Sequence, residues 1–162
     1  MVSIRDFTLA DHDELVEVAR ESWLFAYSSR YSPEAIDAKL ADWYSVENHE
    51  AMVRRREAGT LQFKVWTADG LMQGYLAGDF PSATLLRLYV RPAMTRGGIG
   101  SALLWGFFGE LKKRRAEKCL TFCDRGNAVG LGFYEKHGFR KMGMDEEDWR
   151  LEKTWEPREG RP

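Results

Sequence analysis

Two stretches of the sequence carry residue types and spacings that could do chemistry. The first is Leu86-Arg87-Leu88-Tyr89-Val90-Arg91-Pro92-Ala93-Met94-Thr95-Arg96-Gly97-Gly98-Ile99-Gly100-Ser101, where an apolar run leads into a glycine-rich turn and then a long helical pattern. The chemistry this suggests is anion binding. The first turn of a helix leaves backbone N–H groups unpaired, and the aligned peptide dipoles add partial positive charge there. Gly97, Gly98 and Gly100 let that backbone approach a phosphate with no Cβ in the way, and Arg96 adds a fixed charge. Two familiar phosphate motifs do not fit: there is no Gly-Lys-Ser/Thr end of a P-loop and no complete Gly-x-Gly-x-x-Gly with a ribose acid. A glycine-rich turn that merely starts a helix is the alternative. The second stretch is Asn127-Ala128-Val129-Gly130-Leu131-Gly132-Phe133-Tyr134-Glu135-Lys136-His137-Gly138-Phe139. Alone it fits a packed helix as well as a site.

These residues need a scaffold, and punctuation along the chain supplies one. Val2 to Phe7 reads as a strand, and Thr8 can cap a helix carrying Leu15, Val16, Ala19, Trp23 and Ala26. Ser32-Pro33-Glu34 starts a second helix, and Ser45 caps a third that runs to about Glu57 and ends at Gly59. Leu61 to Thr67 and Leu71 to Gly78 are strands joined by the turn Ala68-Asp69-Gly70. Thr84 to Arg91 is a fourth strand, halted by Pro92. A helix then runs from about Gly98 to Arg115, followed by a strand, Cys119 to Asp124, and a helix, Asn127 to His137, ended by Gly138. Phe139 to Met144 and Trp149 to Trp155 are the last strands. The expected fold is α/β: a mixed sheet of about seven strands with helices on both faces, the last helices joining neighbouring strands as parallel crossovers.

The 162 residues suit a single domain over 1–162 with one sizeable core, and no repeat or linker divides them. A net charge of −1 gives no reason to expect nucleic acid or membrane partners. The start of the chain is polar and reads as no signal peptide, and no apolar run approaches the ~20 residues that span a bilayer. Cys119 and Cys123 lie four apart on one strand, roughly 13 Å, too far for a disulfide. With no nearby His pair they also make a poor zinc site. Both are expected as buried thiols of a reduced, cytoplasmic protein that holds no metal.

Leu88-Tyr89-Val90-x-Pro followed by Gly98-Ile99-Gly100 opening a helix resembles the acetyl-CoA site of the GNAT N-acetyltransferases. Asn127 with Phe133-Tyr134-Glu135-Lys136-His137-Gly138-Phe139 is similar to the family's next motif, in the right order and separated by one helix and one strand. The element order resembles the family over about residues 2–155, and the match is sharp over 84–139. Glu21-Ser22-Trp23, Leu85-Leu86-Arg87-Leu88-Tyr89 and Thr95 most resemble the PaiA-type spermidine/spermine acetyltransferases. Many family members carry Gln or Arg where this chain has Thr95, which weakens a side-chain role there and leaves the amide cradle intact.

The resemblance implies a transfer of acetyl from acetyl-CoA to a primary amine such as that of a polyamine. It implies that the backbone of Leu88, Tyr89 and Val90 pairs with pantetheine and holds the acetyl carbonyl. The amides of Arg96, Gly97, Gly98, Ile99, Gly100 and Ser101 cradle the pyrophosphate, and Asn127 hydrogen-bonds the pantetheine arm. Tyr134 lies near the sulfur as the acid for the leaving thiolate, and Lys136 reaches a CoA phosphate. Tyr134 as core and Lys136 as a solvated lysine are the alternatives. An N–H such as that of Val90 could stabilise the developing oxyanion. A tyrosine hydroxyl, ordinarily titrating near pH ~10, is protonated and available at neutral pH. The base is not visible: Thr84-Leu85-Leu86-Arg87 carries no acid where many relatives place a Glu, and Asp79 could act through water or be a solvated turn residue. Cys123 has no adjacent activating group, and His137 reads as an exposed helix end.

Charge is unevenly distributed. Residues 1–52 hold eleven acids and four bases, whereas residues 84–118 hold eight bases and two acids. The basic segment suits an anionic cosubstrate. The acidic one, with Trp23, Phe25, Tyr27, Tyr31, Trp43 and Tyr44, and the run Asp145-Glu146-Glu147-Asp148 suit a multiply charged amine. Solvated surface and packed core are the alternatives. Another small amine, a protein or peptide amine, or a non-catalytic CoA-binding sensor remain as other readings, and the exposed ends of the sheet could support a homodimer.

Overall fold

In a computed structural model, which describes residues 1–155, β1 (Val2–Asp6) leads through a 3-10 turn at Leu9–Asp11 into α1 (His12–Tyr27), α2 (Pro33–Trp43) and α3 (Val46–Glu57). Next come β2 (Leu61–Ala68), β3 (Leu71–Asp79) and β4 (Thr84–Val90), then a 3-10 turn at Pro92–Met94. The chain continues with α4 (Ile99–Lys113), β5 (Lys118–Asp124), α5 (Ala128–Lys136), β6 (Arg140–Asp145) and β7 (Asp148–Thr154). Local chemistry sets most of these boundaries. Ser32 accepts from the Ala35 amide and Ser45 from that of Asn48, each at 3.1 Å, so α2 and α3 start where the serines stand. Gly59, at φ +80, lies two residues beyond the end of α3.

All seven strands join one mixed sheet in the order β1-β2-β3-β4-β5-β7-β6. Leu15, Val18, Ala19 and Trp23 of α1 and Ile36 and Leu40 of α2 pack with Phe63, Val65, Tyr75 and Ala77 on one side. Leu103, Leu104, Phe107 and Leu111 of α4 and Leu131 and Tyr134 of α5 pack with Leu76, Leu85 and Leu151 on the other. Gly78 admits the closest of these contacts, because a Cβ there would collide with the Phe107 ring.

Several sequence expectations need correction. Arg91, Phe139 and Trp155 stand just outside their strands. The last helices do not both join neighbouring strands. β4 and β5 are adjacent and parallel, but β7 lies between β5 and β6, antiparallel to both. The cause is burial: β7 carries the fully buried Leu151, whereas β6 is exposed along most of its length and makes a charged edge.

Candidate active site

β4 and β5 pair only at Thr84↔Leu120 and Leu85↔Thr121, and then separate. The separation follows from one extra residue. Opposite β3 the register runs Ala77↔Arg87 and then Gly78↔Leu85, leaving Leu86 as a bulge that bends β4 away. The Arg91 N–H donates to the Gln73 oxygen of the β3 segment at 2.8 Å. By the two-residue alternation of a strand, Leu88 and Val90 therefore turn their backbone N–H and C=O groups toward the gap. A cleft of about 520 Å³ opens there. Leu88, Tyr89 and Val90 all line it, as expected, with Ser22, Phe25 and Tyr27 of α1 on one wall and Thr121 and Cys123 of β5 on the other.

The glycine turn closes one end. Gly98, at φ +76, is the cap of α4, and no side chain caps that helix. The amides of Ile99, Gly100 and Ser101 thus form an open first turn, unlike those of α2, α3 and α5, each of which a side chain caps. Arg96, Gly98, Gly100 and Ser101 line the cleft. Gly97 and Ile99 do not line it, the Ile99 side chain being buried, so any part they take is through their backbone amides. A Cβ at Gly100 would press on the Phe133 ring at 3.3 Å. The charged residues lining the cleft are Arg87, Arg96 and Lys136; no carboxylate does so among the described residues. Such a surface fits a polyanionic phosphate ester.

Asn127 lines the cleft, but its Oδ1 caps α5 by accepting from the Gly130 amide at 2.9 Å, so its NH₂ group is what remains for a ligand. Tyr134 is nearly buried at the cleft wall. Burial first, then the neighbouring Cys123 and Tyr27, raise its pKa well above the ordinary tyrosine value, so its hydroxyl stays protonated. Lys136 is exposed at the mouth. Cys123 also lines the cleft, but burial and then Asp124 and Asp148 push its thiol up to about 12, which leaves no thiolate at neutral pH.

Sequence reasoning missed several lining residues. Ser22 donates to the Val90 oxygen at 2.9 Å, and Thr121 donates to the Leu85 oxygen at 3.0 Å. Tyr27 is raised to about 12, chiefly by burial, with Tyr89 and Asn127 beside it. His137 is not an exposed helix end. It is half-buried, lines the cleft and contacts Ser101 at 2.8 Å. Ser22 lies on a helix that reads as amphipathic packing, so no local signal marked it as lining the cleft, whereas Tyr27 is one of the aromatic residues the acidic segment offered for the acceptor.

The two places where a base might be sought are occupied by other interactions. Arg87 fills the fourth-strand position. It donates from Nη2 to the Trp43 oxygen at 2.8 Å, stacks 4.0 Å over the Tyr44 ring, and lies with Nη1 at 3.1 Å from His49 Nε2. Because a guanidinium only donates, His49 Nε2 accepts, and its Nδ1–H faces His12 Nδ1 at 2.7 Å. Burial, then Arg87 and His12, lower the His49 pKa to about 3, so the ring is neutral. Asp79 lies at the far end of β3, outside the cleft. Burial raises its pKa, but Ser82 and Arg55 outweigh that and hold it below the ordinary carboxylate value.

The end of the cleft beside Tyr27 and Cys123 is bordered by acids. Arg30 pairs with Asp124 and, at 2.7 Å, with Glu147, tying the end of α1 to the β6–β7 hairpin. Asp148 is raised by burial and then by Asp124 and Asp145, the mark of crowded negative charge. The acids of α1 are not part of this group: Glu21 and Glu17 lie 2.8 and 3.3 Å from Arg91.

Comparison with known proteins agrees with this geometry. Residues 13–139 match the acetyltransferase (GNAT) family model. The chain is 34% identical, over 96% of its length and 98% of the relative's, to the spermidine N(1)-acetyltransferase of Thermoplasma acidophilum. A crystal structure of the PaiA N-acetyltransferase of that organism, in complex with coenzyme A, superposes with a TM-score of 0.90 at 32% identity, covering 96% of this chain and 99% of that one. A GCN5-related N-acetyltransferase from Rhodopseudomonas palustris, at 20% identity, 94% and 95% coverage and TM-score 0.69, shares the fold. The chain belongs to the GNAT family and is an acetyl-CoA-dependent N-acetyltransferase.

Proposed function

We propose that the protein acetylates a primary amine of a polyamine in the cleft between β4 and β5, with acetyl-CoA entering from the α4–α5 side. One observation carries the reading: the backbone edge of Leu88 and Val90, left without a β5 partner, leads through the turn at 91–98 into the uncapped first turn of α4, and both line the same cleft. The edge suits the amides of a pantetheine arm and the turn suits a pyrophosphate. Bound there, acetyl-CoA supplies an activated thioester carbonyl.

The chain's own residues divide the remaining work. The amides of Gly98 to Ser101 and the side chains of Arg96 and Lys136 hold the phosphates, and the Asn127 NH₂ donates to the arm. The Val90 N–H donates to the acetyl oxygen as it gains negative charge. The Tyr134 hydroxyl, kept protonated by burial, gives its proton to the departing sulfur and regains one from the nitrogen of the tetrahedral adduct, so that amine and thioester become amide and thiol. Among the described residues no lining carboxylate takes the proton of the acceptor ammonium, so the amine reacts from its neutral form, which the apolar walls favour.

The acceptor class rests on two supports. The relative that matches 96% of this chain acts on spermidine by name. Asp124, close to Tyr27, and the hairpin acids Asp145, Glu146 and Asp148 gather negative charge near that end of the cleft, and with the Tyr27 ring they suit distal ammonium groups. One domain over 1–162 is part of the same reading, supported by a single sheet that takes in strands from both ends of the described chain. No helix among the described residues is long and apolar enough to cross a membrane; we place the protein in the cytoplasm. The test is free-thiol release from acetyl-CoA with spermidine, spermine, short diamines, aminoglycosides and N-terminal peptides. Saturable turnover with the polyamines alone supports the reading. Turnover confined to another amine reassigns the acceptor.

A further inference from the structure

His137 caps the C-terminal end of α5, yet its ring reaches the first turn of α4. Nδ1 lies 2.7 Å from the Phe133 backbone oxygen, and Nε2 lies 2.8 Å from Ser101 Oγ. A carbonyl oxygen only accepts, so Nδ1 carries a proton. In a neutral imidazole Nε2 is then an acceptor, and Ser101 must donate its hydroxyl proton to it. The ring is fixed further by Phe133, 4.2 Å away centroid to centroid, and by Trp105 at 6.2 Å.

This arrangement conflicts with the ligand proposed for the same turn. The Ser101 proton points at His137, so toward the cleft the hydroxyl presents lone pairs, which repel phosphate oxygens. If Nε2 gains a proton, the direction reverses. His137 then donates to Ser101 Oγ while still donating to Phe133, and the Ser101 O–H is free to turn to the phosphate. The surrounding charges decide which state holds. Arg96 and Lys136 line the same cleft, and Lys153 of β7 lies against Gly138. Glu135 of α5 is paired with Lys141 at 3.5 Å, and α4 contributes the uncharged Ser101 and Trp105. A bound pyrophosphate brings negative charge to this turn, and negative charge beside an imidazole favours its protonated form.

We propose that His137 is a proton-linked positioning residue for the cosubstrate: when CoA binds at the first turn of α4, His137 Nε2 takes up a proton from solvent and hands the Ser101 hydroxyl to the pyrophosphate. The proposal rests on the placement of the pyrophosphate given above. The net change is one proton bound and one hydrogen bond reversed; no covalent bond forms.

The test is calorimetric titration of CoA at several pH values in buffers of different ionisation enthalpy, for wild type, His137→Gln and Ser101→Ala. Each variant is first shown to be folded by circular dichroism. Wild type takes up more protons on binding than either variant, and its affinity rises, by up to about tenfold per pH unit, as pH falls from 8 to 6. Titration of the CoA phosphates is common to all three proteins and cancels in the comparison. Imidazole ¹⁵N shifts of His137 should move to imidazolium values when CoA is added at pH 7. Equal proton uptake in wild type and His137→Gln, or an imidazole that stays neutral in the complex, overturns the proposal. CoA binding indifferent to both Ser101→Ala and Gly98→Glu faults the pyrophosphate placement instead.

Discussion

The Ser22 hydroxyl of α1 donates to the Val90 backbone oxygen across 2.9 Å, joining residues 68 positions apart. The same hydroxyl lies 2.8 Å from the Val18 oxygen, so one proton is shared between its own helix and the open end of β4. Val90 stands beyond the last β4–β5 pair, and Ser22 takes part of the restraint that β5 would otherwise supply. Ser22→Ala should cost about 1 kcal/mol of stability in urea unfolding. It should also raise KM for acetyl-CoA, because the backbone edge facing the pantetheine arm loses a support.

Tyr134→Phe separates chemistry from binding. The ring stays in the wall and only the hydroxyl is lost. The expected result is a kcat lower by roughly 10²–10⁴-fold, the usual share of a general acid, with acetyl-CoA affinity unchanged in a direct titration. A loss of affinity with unchanged kcat would make Tyr134 a packing residue.

With no carboxylate lining the cleft among the described residues, the pH dependence of the rate should follow the acceptor. kcat/KM for a polyamine should climb between pH 7 and 9 by up to about tenfold per unit, as more of the amine becomes neutral. A plateau beginning near pH 6 to 7 would reveal an enzyme base.

His49 links stability to pH. Its folded pKa is lowered to about 3, below its unfolded value, so the unfolded chain binds the extra proton. Stability is full above the unfolded value and declines as pH falls from about 6.5 toward 3, by at most about 1.4 kcal/mol per unit. Asp11 and Asp79, both held low, add losses only below about pH 4. Chemical denaturation between pH 7 and 4.5 should show this slope in wild type and a flatter one in His49→Gln, whatever the variant's absolute stability.

The order of elements was legible because local chemistry writes it: serines before α2 and α3, glycines around α4, and apolar runs in β2 to β5. The phosphate-facing turn was legible for the same reason, since Gly98 and Gly100 are local signals. What stayed hidden is non-local. The cleft exists because one extra residue, Leu86, bends β4, and only that bend admits Ser22 and Tyr27 from α1. The position of β7 inside β6 depends on which strand buries Leu151, a fact of packing rather than sequence order. Charge counting misled where it summed acids that are already paired: Glu17 and Glu21 attend to Arg91, and Asp37 to Arg20 at 2.8 Å. Asp124 and Glu147 are likewise paired, with Arg30, which ties the end of α1 to the β6–β7 hairpin.

The most direct test of the account is a crystal structure of this protein with acetyl-CoA. The account predicts the pyrophosphate on the amides of Gly98 to Ser101, the pantetheine arm along Leu88 to Val90, and the thioester sulfur beside the Tyr134 hydroxyl. Acetyl-CoA bound away from the β4–β5 opening, or with its thioester out of reach of Val90 and Tyr134, would contradict it.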